Sequence, residues 1–245
     1  MHTARFQPHP LVFVAWASIF CCQALAASPT FGTSQVGDTR VVLAYPQGYV
    51  DLCGKDKDAA ELILPMVPET NRAVGCYSTA DDYSEWINRV GGRFRSYLIA
   101  SIMKASEGGK VSTGDFLAFH DSVRAQHKVM YQKLAPEIQS QIDIYAARVS
   151  AKSGLDIQTK LGEVLPIGVF DEAPNRFSSV WIAHAKHVTG DSTIDGSQVQ
   201  ISSAVLLKGR VFVLFTYGKY ISPASIEQYK QIAAGWAAQF IDANR

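Results

Sequence analysis

The sequence predicts an α+β fold: a mainly antiparallel sheet covered by helices on both faces, an α/β/α sandwich closed by a long C-terminal helix. Three observations predict it. An amphipathic stripe ends the chain, with Ile226, Tyr229, Ala233, Trp236 and Phe240 recurring at steps of three and four residues. Ahead of it runs a meander of β-prone segments separated by turn residues. Within that meander Val211-Phe212-Val213-Leu214-Phe215 is apolar at every position, which a strand tolerates when both of its faces are covered.

The first residues read as a cleavable secretory signal peptide, 1–26. Arg5 is followed by an apolar run, Leu11 to Cys22, and then by Ala24-Leu25-Ala26, the small-residue pattern of a cleavage site after Ala26. The run has 12 residues, short of the ~20 that a spanning helix needs, so no stable membrane anchor is expected. Phe20 before Cys21 and Cys21 before Cys22 lack the small residue that lipidation requires. The expected location is the periplasm or the medium. Losing Arg5 takes the formal charge from +1 to zero. A neutral chain without charge runs has no electrostatic footprint for nucleic acid.

Two cysteines remain after cleavage, Cys53 and Cys76. An even count in an oxidising compartment predicts a disulfide between them. The closed loop of roughly two dozen residues would be worth about 3 kcal/mol in the chain-entropy account.

Residues 27–38 are small, polar and glycine-rich and read as a flexible leader; 39–245 read as a single α+β domain. A strand is expected at 39–45, ended by Pro46, and a short helix from Lys55 to Leu64, stopped by Pro65 and Pro68. A second strand follows at 72–77. Ser78 or Thr79 caps a helix carrying Tyr83, Trp86, Ile87 and Val90, which Gly91-Gly92 ends. Phe94 to Ile102 alternates with period two, a strand. Two long helices come next. Ser112 and Asp115 form a capping box, and Phe116, Phe119, Val123, His127, Met130 and Leu134 make the first stripe. Pro136 starts the second helix, with Ile138, Ile142, Tyr145 and Val149 as its stripe and Gly154 as its stop. The two are expected to pack as an antiparallel pair. Strands are predicted at 162–170, 177–189, 197–207 and 210–217, with turns at Asp195-Gly196 and Lys208-Gly209-Arg210. Ser222 and Pro223 open the last helix as N-cap and N1.

The entry Tyr45-Pro46-Gln47-Gly48-Tyr49-Val50, the hairpin from Val199 to Tyr217 and the closing helix together resemble the PsbP/Mog1-like α/β/α sandwich group. The layout is also similar to a group of exported bacterial proteins. The resemblance implies small adaptor, assembly or envelope-associated proteins with no catalytic residues to carry over.

No motif fixes a reaction. Ser101-Ile102-Met103-Lys104 and Lys152-Ser153-Gly154 resemble the signatures of penicillin-binding enzymes, but alternation puts Ser101 and Lys104 on opposite faces of a strand. His184 and His187 are likewise split by strand geometry and cannot share a metal without a bulge. Asp81-Asp82 and Asp191 to Asp195 lack calcium-loop spacing. His127 and His184 remain as candidate general bases, and each would need a Ser, Asp or Glu in reach. No catalytic residue, cofactor or metal is assigned. The leading expectation is an exported, non-enzymatic accessory protein that binds a protein partner. The alternatives are a small-molecule or lipid binder, with Tyr97, Tyr131, Tyr217 and Tyr220 as lining residues, and a hydrolase with a histidine base.

Overall fold

A computed structural model describes residues 31–88, 94–154, 156–189 and 192–245, with backbone alone at 31, 130–134, 141, 145, 152, 153, 189, 192 and 194. The signal peptide, Val90, Gly91-Gly92 and Asp191 lie outside the described residues, as do the side chains of Met130, Tyr131, Leu134 and Tyr145.

The chain runs through β1 (Phe31–Val36), β2 (Thr39–Ala44), β3 (Tyr49–Asp51), α1 (Leu52–Lys55), α2 (Lys57–Ile63), a 3₁₀ turn (Leu64–Met66), β4 (Asn71–Thr79) and α3 (Ala80–Ile87). Then come β5 (Ser96–Met103), α4 (Lys104–Glu107), α5 (Thr113–Ser153), β6 (Ile157–Ala173), β7 (Arg176–Thr189), β8 (Ser192–Leu207), β9 (Arg210–Lys219) and α6 (Pro223–Asp242). Among the described residues seven strands form one antiparallel sheet in the order β3-β4-β5-β9-β8-β7-β6, and β1 and β2 form a separate hairpin.

The all-apolar strand β9 is central, as its composition requires. Phe212 and Leu214 enter one core with Tyr77, Leu98, Trp236 and Phe240. Val213, Phe215 and Tyr217 face the other way, toward Leu52, Ala59 and Ile63 of α1 and α2. The sheet is therefore sandwiched: α6 and the β1–β2 hairpin lie on one face, and α1, α2 and the first half of α5 on the other.

Helix α6 is the deepest layer. Trp236, Ala237 and Phe240 are fully buried, and each large side chain contributes on the order of 1.5–3 kcal/mol. Trp236 Nε1 donates to Ala44 O at 2.7 Å, and Asn244 pairs with both the N–H and the carbonyl of Val42 at 2.8 Å. Gly218 lets the helix come this close: a Cβ there would lie 1.8 Å from the ring of Tyr229.

Four expectations need correction. Phe31–Val36, within the expected flexible leader, is a strand paired with β2 through a turn at Gly37, whose φ is +56°. The hairpin is held because Val36, Val41 and Leu43 bury against the sheet. The expected helix pair is one helix of 41 residues with Pro136 inside it, about 60 Å long at ~1.5 Å per residue. A proline costs one hydrogen bond and about 3 kcal/mol, set against the burial of Phe116, Val123 and His127 before it and of Ile142 and Ala146 after it. Its ends are as expected, with the Ser112–Asp115 capping box and Gly154 in the left-handed region at φ +70°. Asp195-Gly196 is not a turn but lies inside β8, paired with Lys186 and Ala185. Finally, β6 begins at Ile157, not 162.

These longer strands outrun β9. The last bonds from the β9 side are at Gln198 and Ser197, with Tyr220 N donating to Ser197 O at 2.9 Å. Beyond them β6, β7 and β8 continue as a three-stranded arm, from Ile157, to Thr189 and from Ser192. The second half of α5 runs along the outer edge of that arm.

Candidate functional site

Cys53 and Cys76 are disulfide-bonded, with Cα atoms 5.2 Å apart, tying α1 to β4. Asp51 N-caps α1 by accepting from Gly54 N, and Asp56 N-caps α2 by accepting from Ala59 N.

The two candidate bases end up in different places. His127 lies under α5, 6% exposed, its ring stacked on Trp181 at 4.8 Å and 11°. Its Nε2 has no hydrogen-bond partner, and burial pushes the imidazole below its ordinary range. Among the described residues no Ser, Asp or Glu side chain is found hydrogen-bonded to that Nε2. His184 is on the opposite face of β7, where its Nδ1 meets Ser197 Oγ at 2.6 Å across the strand pair. His187 is on the α5 side of β7, with Nδ1 2.9 Å from Thr159 Oγ1. The two histidines of the His184/His187 pair thus point apart, as the strand alternation predicts.

The remaining motifs are structural. Ser101 is buried, donating to Val213 O at 2.9 Å and accepting from Asn71 Nδ2, while Lys104 starts α4. Asp82 accepts from the backbone of Arg95 and Ser96 and pairs with the Arg95 guanidinium. Tyr97 and Tyr217 stack on each other in the core at 4.5 Å. Tyr220 packs beside Val180, Val199 and Ile201. Among the described residues no three His, Cys, Asp or Glu side chains gather as metal ligands, and no helix is long and apolar enough to cross a membrane.

A groove of about 840 Å³ lies between the second half of α5 and the start of β6. Gln139, Asp143, Ala146, Ser150, Thr159 and Lys186 line it. Small side chains on the helix keep the gap open. Alternation turns the backbone groups of Ile157, Thr159 and Leu161 outward, away from β7. Side chains of α5 take the place of a neighbouring strand there. Gln139 Nε2 donates to Thr159 O at 2.9 Å, and its Oε1 accepts from Leu161 N at 2.7 Å. Ser150 Oγ accepts from Ile157 N at 2.9 Å and donates to Ile157 O at 3.3 Å. The second amide hydrogen of Gln139 goes to Asp143 Oδ1 at 2.7 Å, so the amide group is satisfied. The exposed lysines Lys160 and Lys186 stand directly opposite each other in the ladder.

Comparison with known proteins adds little beyond layout. No family model matches the chain, and no curated protein matches it significantly. Among solved structures it is similar to the Ran-binding protein Mog1p of Saccharomyces cerevisiae, at 9% identity and a TM-score of 0.32, over 89% of this chain and 93% of that one. It is similar to a point mutant of Mog1 at 9% and 0.30, over 87% and 90%. Cyanobacterial PsbP from Synechocystis sp. PCC 6803 stands at 10% and 0.31, over 90% and 96%. These carry the two names of the group that the sequence resembles. Likeness this distant transfers no partner and no activity.

Sequence reasoning missed Ser197, Gln139, Ser150 and Glu172. Glu172 takes His120 Nε2 and Arg124 Nη2, each at 2.8 Å, and pins α5 to β6. A correct register for the β7–β8 hairpin would have placed Ser197 opposite His184. Nothing in the local pattern marks Gln139, whose partner lies 22 residues on.

Proposed function

We propose that this chain is an exported, non-enzymatic accessory protein of the cell envelope that binds another protein. The observation that carries it is the outer edge of β6, where an α-helix stands in for a missing strand. A sheet edge held by side chains is a recognition surface for polypeptide, because its main-chain groups accept main-chain partners. Export rests on the signal-peptide pattern at 1–26 and fits a chain that carries the Cys53–Cys76 bond. The protein should be recovered from the exported fraction with Ala27 as its first residue; absence from that fraction overturns export, and an intact Met1 there overturns cleavage. Co-purification from the exported fraction should return the same protein in repeated runs, and the purified pair should bind in titration calorimetry. Repeated runs that recover nothing specific, or a purified pair that gives no heat, overturn the binding role.

A second reading is favoured by the 2.6 Å contact between Ser197 and His184, a serine beside a base. As a hydrolase, the protein would label with a fluorophosphonate probe at Ser197, and Ser197→Ala or His184→Ala would abolish labelling. An unlabelled wild-type protein removes this reading.

A further inference from the structure

We infer that the outer edge of β6 is a strand-addition site and that the second half of α5 is its displaceable guard. The occupant is an extended segment of the partner protein, which pairs with Ile157, Thr159 and Leu161. This deepens the protein-binding reading above and rests on it.

Three observations converge. First, the hydrogen-bonding groups involved are those of a strand edge: the N–H and carbonyl of Ile157, the carbonyl of Thr159 and the N–H of Leu161. An incoming strand offers the same donors and acceptors at the same repeat, so exchange of side chain for main chain loses no hydrogen bond. Second, the described buried side chains of the guard are few and small. Among the described side chains from 135 to 153 only Ile142 and Ala146 are buried, whereas the first half of α5 buries Phe116, Val123 and His127. A groove runs beside Ala146 and Ser150 on this half. Third, Pro136 lies between the halves. A proline inside a helix removes the hydrogen bond that would couple the turns on either side, which is where helices bend.

Farther along, the same strand is closed to addition. Register shifts at Leu161/Val164, Pro166/Gly168 and Phe170/Ala173 break its edge, and Pro166 has no N–H to give. The receptive stretch is thus limited to the five residues Ile157 to Leu161 that α5 covers.

Two measurements on the full processed chain test this. In amide exchange, the guard 137–153 and the amides of Ile157 and Leu161 should exchange at least ten-fold faster than the first half of α5 and than Gln158 and Lys160. Equal protection overturns the displaceable guard. In fluorescence anisotropy, a labelled peptide copying Ile157–Leu165 should bind a Gln139→Ala/Ser150→Ala variant at least five-fold more tightly than the wild type. The same peptide N-methylated on alternate amides should bind neither. Absent binding, equal affinity for variant and wild type, or indifference to N-methylation overturns strand addition. A melt of the variant confirms that the body stays folded. Neither arm needs the natural partner, so failure here with a successful calorimetric titration moves the partner to another surface and leaves the binding role standing.

Discussion

Helices α5 and α6 solve the same problem with unequal commitment. Each offers a side-chain amide to a strand: Asn244, just past the end of α6, pairs with Val42, and Gln139 of α5 pairs with Thr159 and Leu161. Behind Asn244 stands a face of fully buried Trp236, Ala237 and Phe240. Behind Gln139 stand Ile142 and Ala146, buried but smaller. The hydrogen bonds are of similar length, so the difference lies in apolar area. An amide cap alone is worth roughly 0.5–1.5 kcal/mol, and one large core side chain exceeds that. A polar contact becomes permanent only where the helix that carries it is anchored by something else.

The comparison can be broken most severely at α6. Deleting 222–245 should abolish cooperative melting, and Trp236→Ala should cost about 3–5 kcal/mol in denaturant unfolding. A truncated chain that still melts in one sharp transition means that α6 is no more committed than the end of α5. The next effect is local. Pro136→Ala restores a helical hydrogen bond and should slow amide exchange across 137–153 several-fold while the midpoint of global melting moves little. A large rise in that midpoint with no local slowing would place the second half of α5 in the same cooperative unit as α6. The smallest effect is in the first half of α5. Burial keeps the imidazole of His127 below its ordinary range, so below about pH 6.5 the unfolded chain binds more protons than the folded one. Stability present above that pH is lost as the pH falls through it. His127→Phe should flatten that loss between pH 7 and pH 5, and matching pH profiles for the two proteins would assign the dependence to other groups.

Legibility in the sequence follows the same division. Helix α6 could be read because a periodic stripe, an N-cap and a proline at N1 all agreed. Strand β9 could be read because every residue was apolar. The disulfide was legible from counting cysteines. Helix α5 was misread because Pro136 is a strong local stop signal, overruled by contacts with strands later in the chain. Residues 31–36 were misread because their composition is loop-like and what orders them, pairing with β2 and burial of Val36 against the sheet, is made with later residues. The candidate site was the least legible part. Gln139 and Ser150 look like ordinary solvated helix positions, and their role depends on which edge of which strand lies beside them. His184 was named, but its partner Ser197 was hidden by a misplaced turn at Asp195-Gly196.

The seating of the β1–β2 hairpin against α6 has a consequence for how the chain is made. Trp236 is bonded to a residue 192 positions earlier, and Asn244 to one 202 positions earlier. The hairpin of β1 and β2 therefore stays without these two hydrogen-bond partners until the last helix has emerged. Until then the cluster that Val36, Val41 and Leu43 join lacks Trp236, Ala237 and Phe240. Contacts that span the chain in this way slow folding and prolong the exposure of apolar strands. The last twenty or so residues act as a latch: until they arrive, the two ends of the protein are strangers, and the chain depends on whatever holds unfolded polypeptides in its compartment.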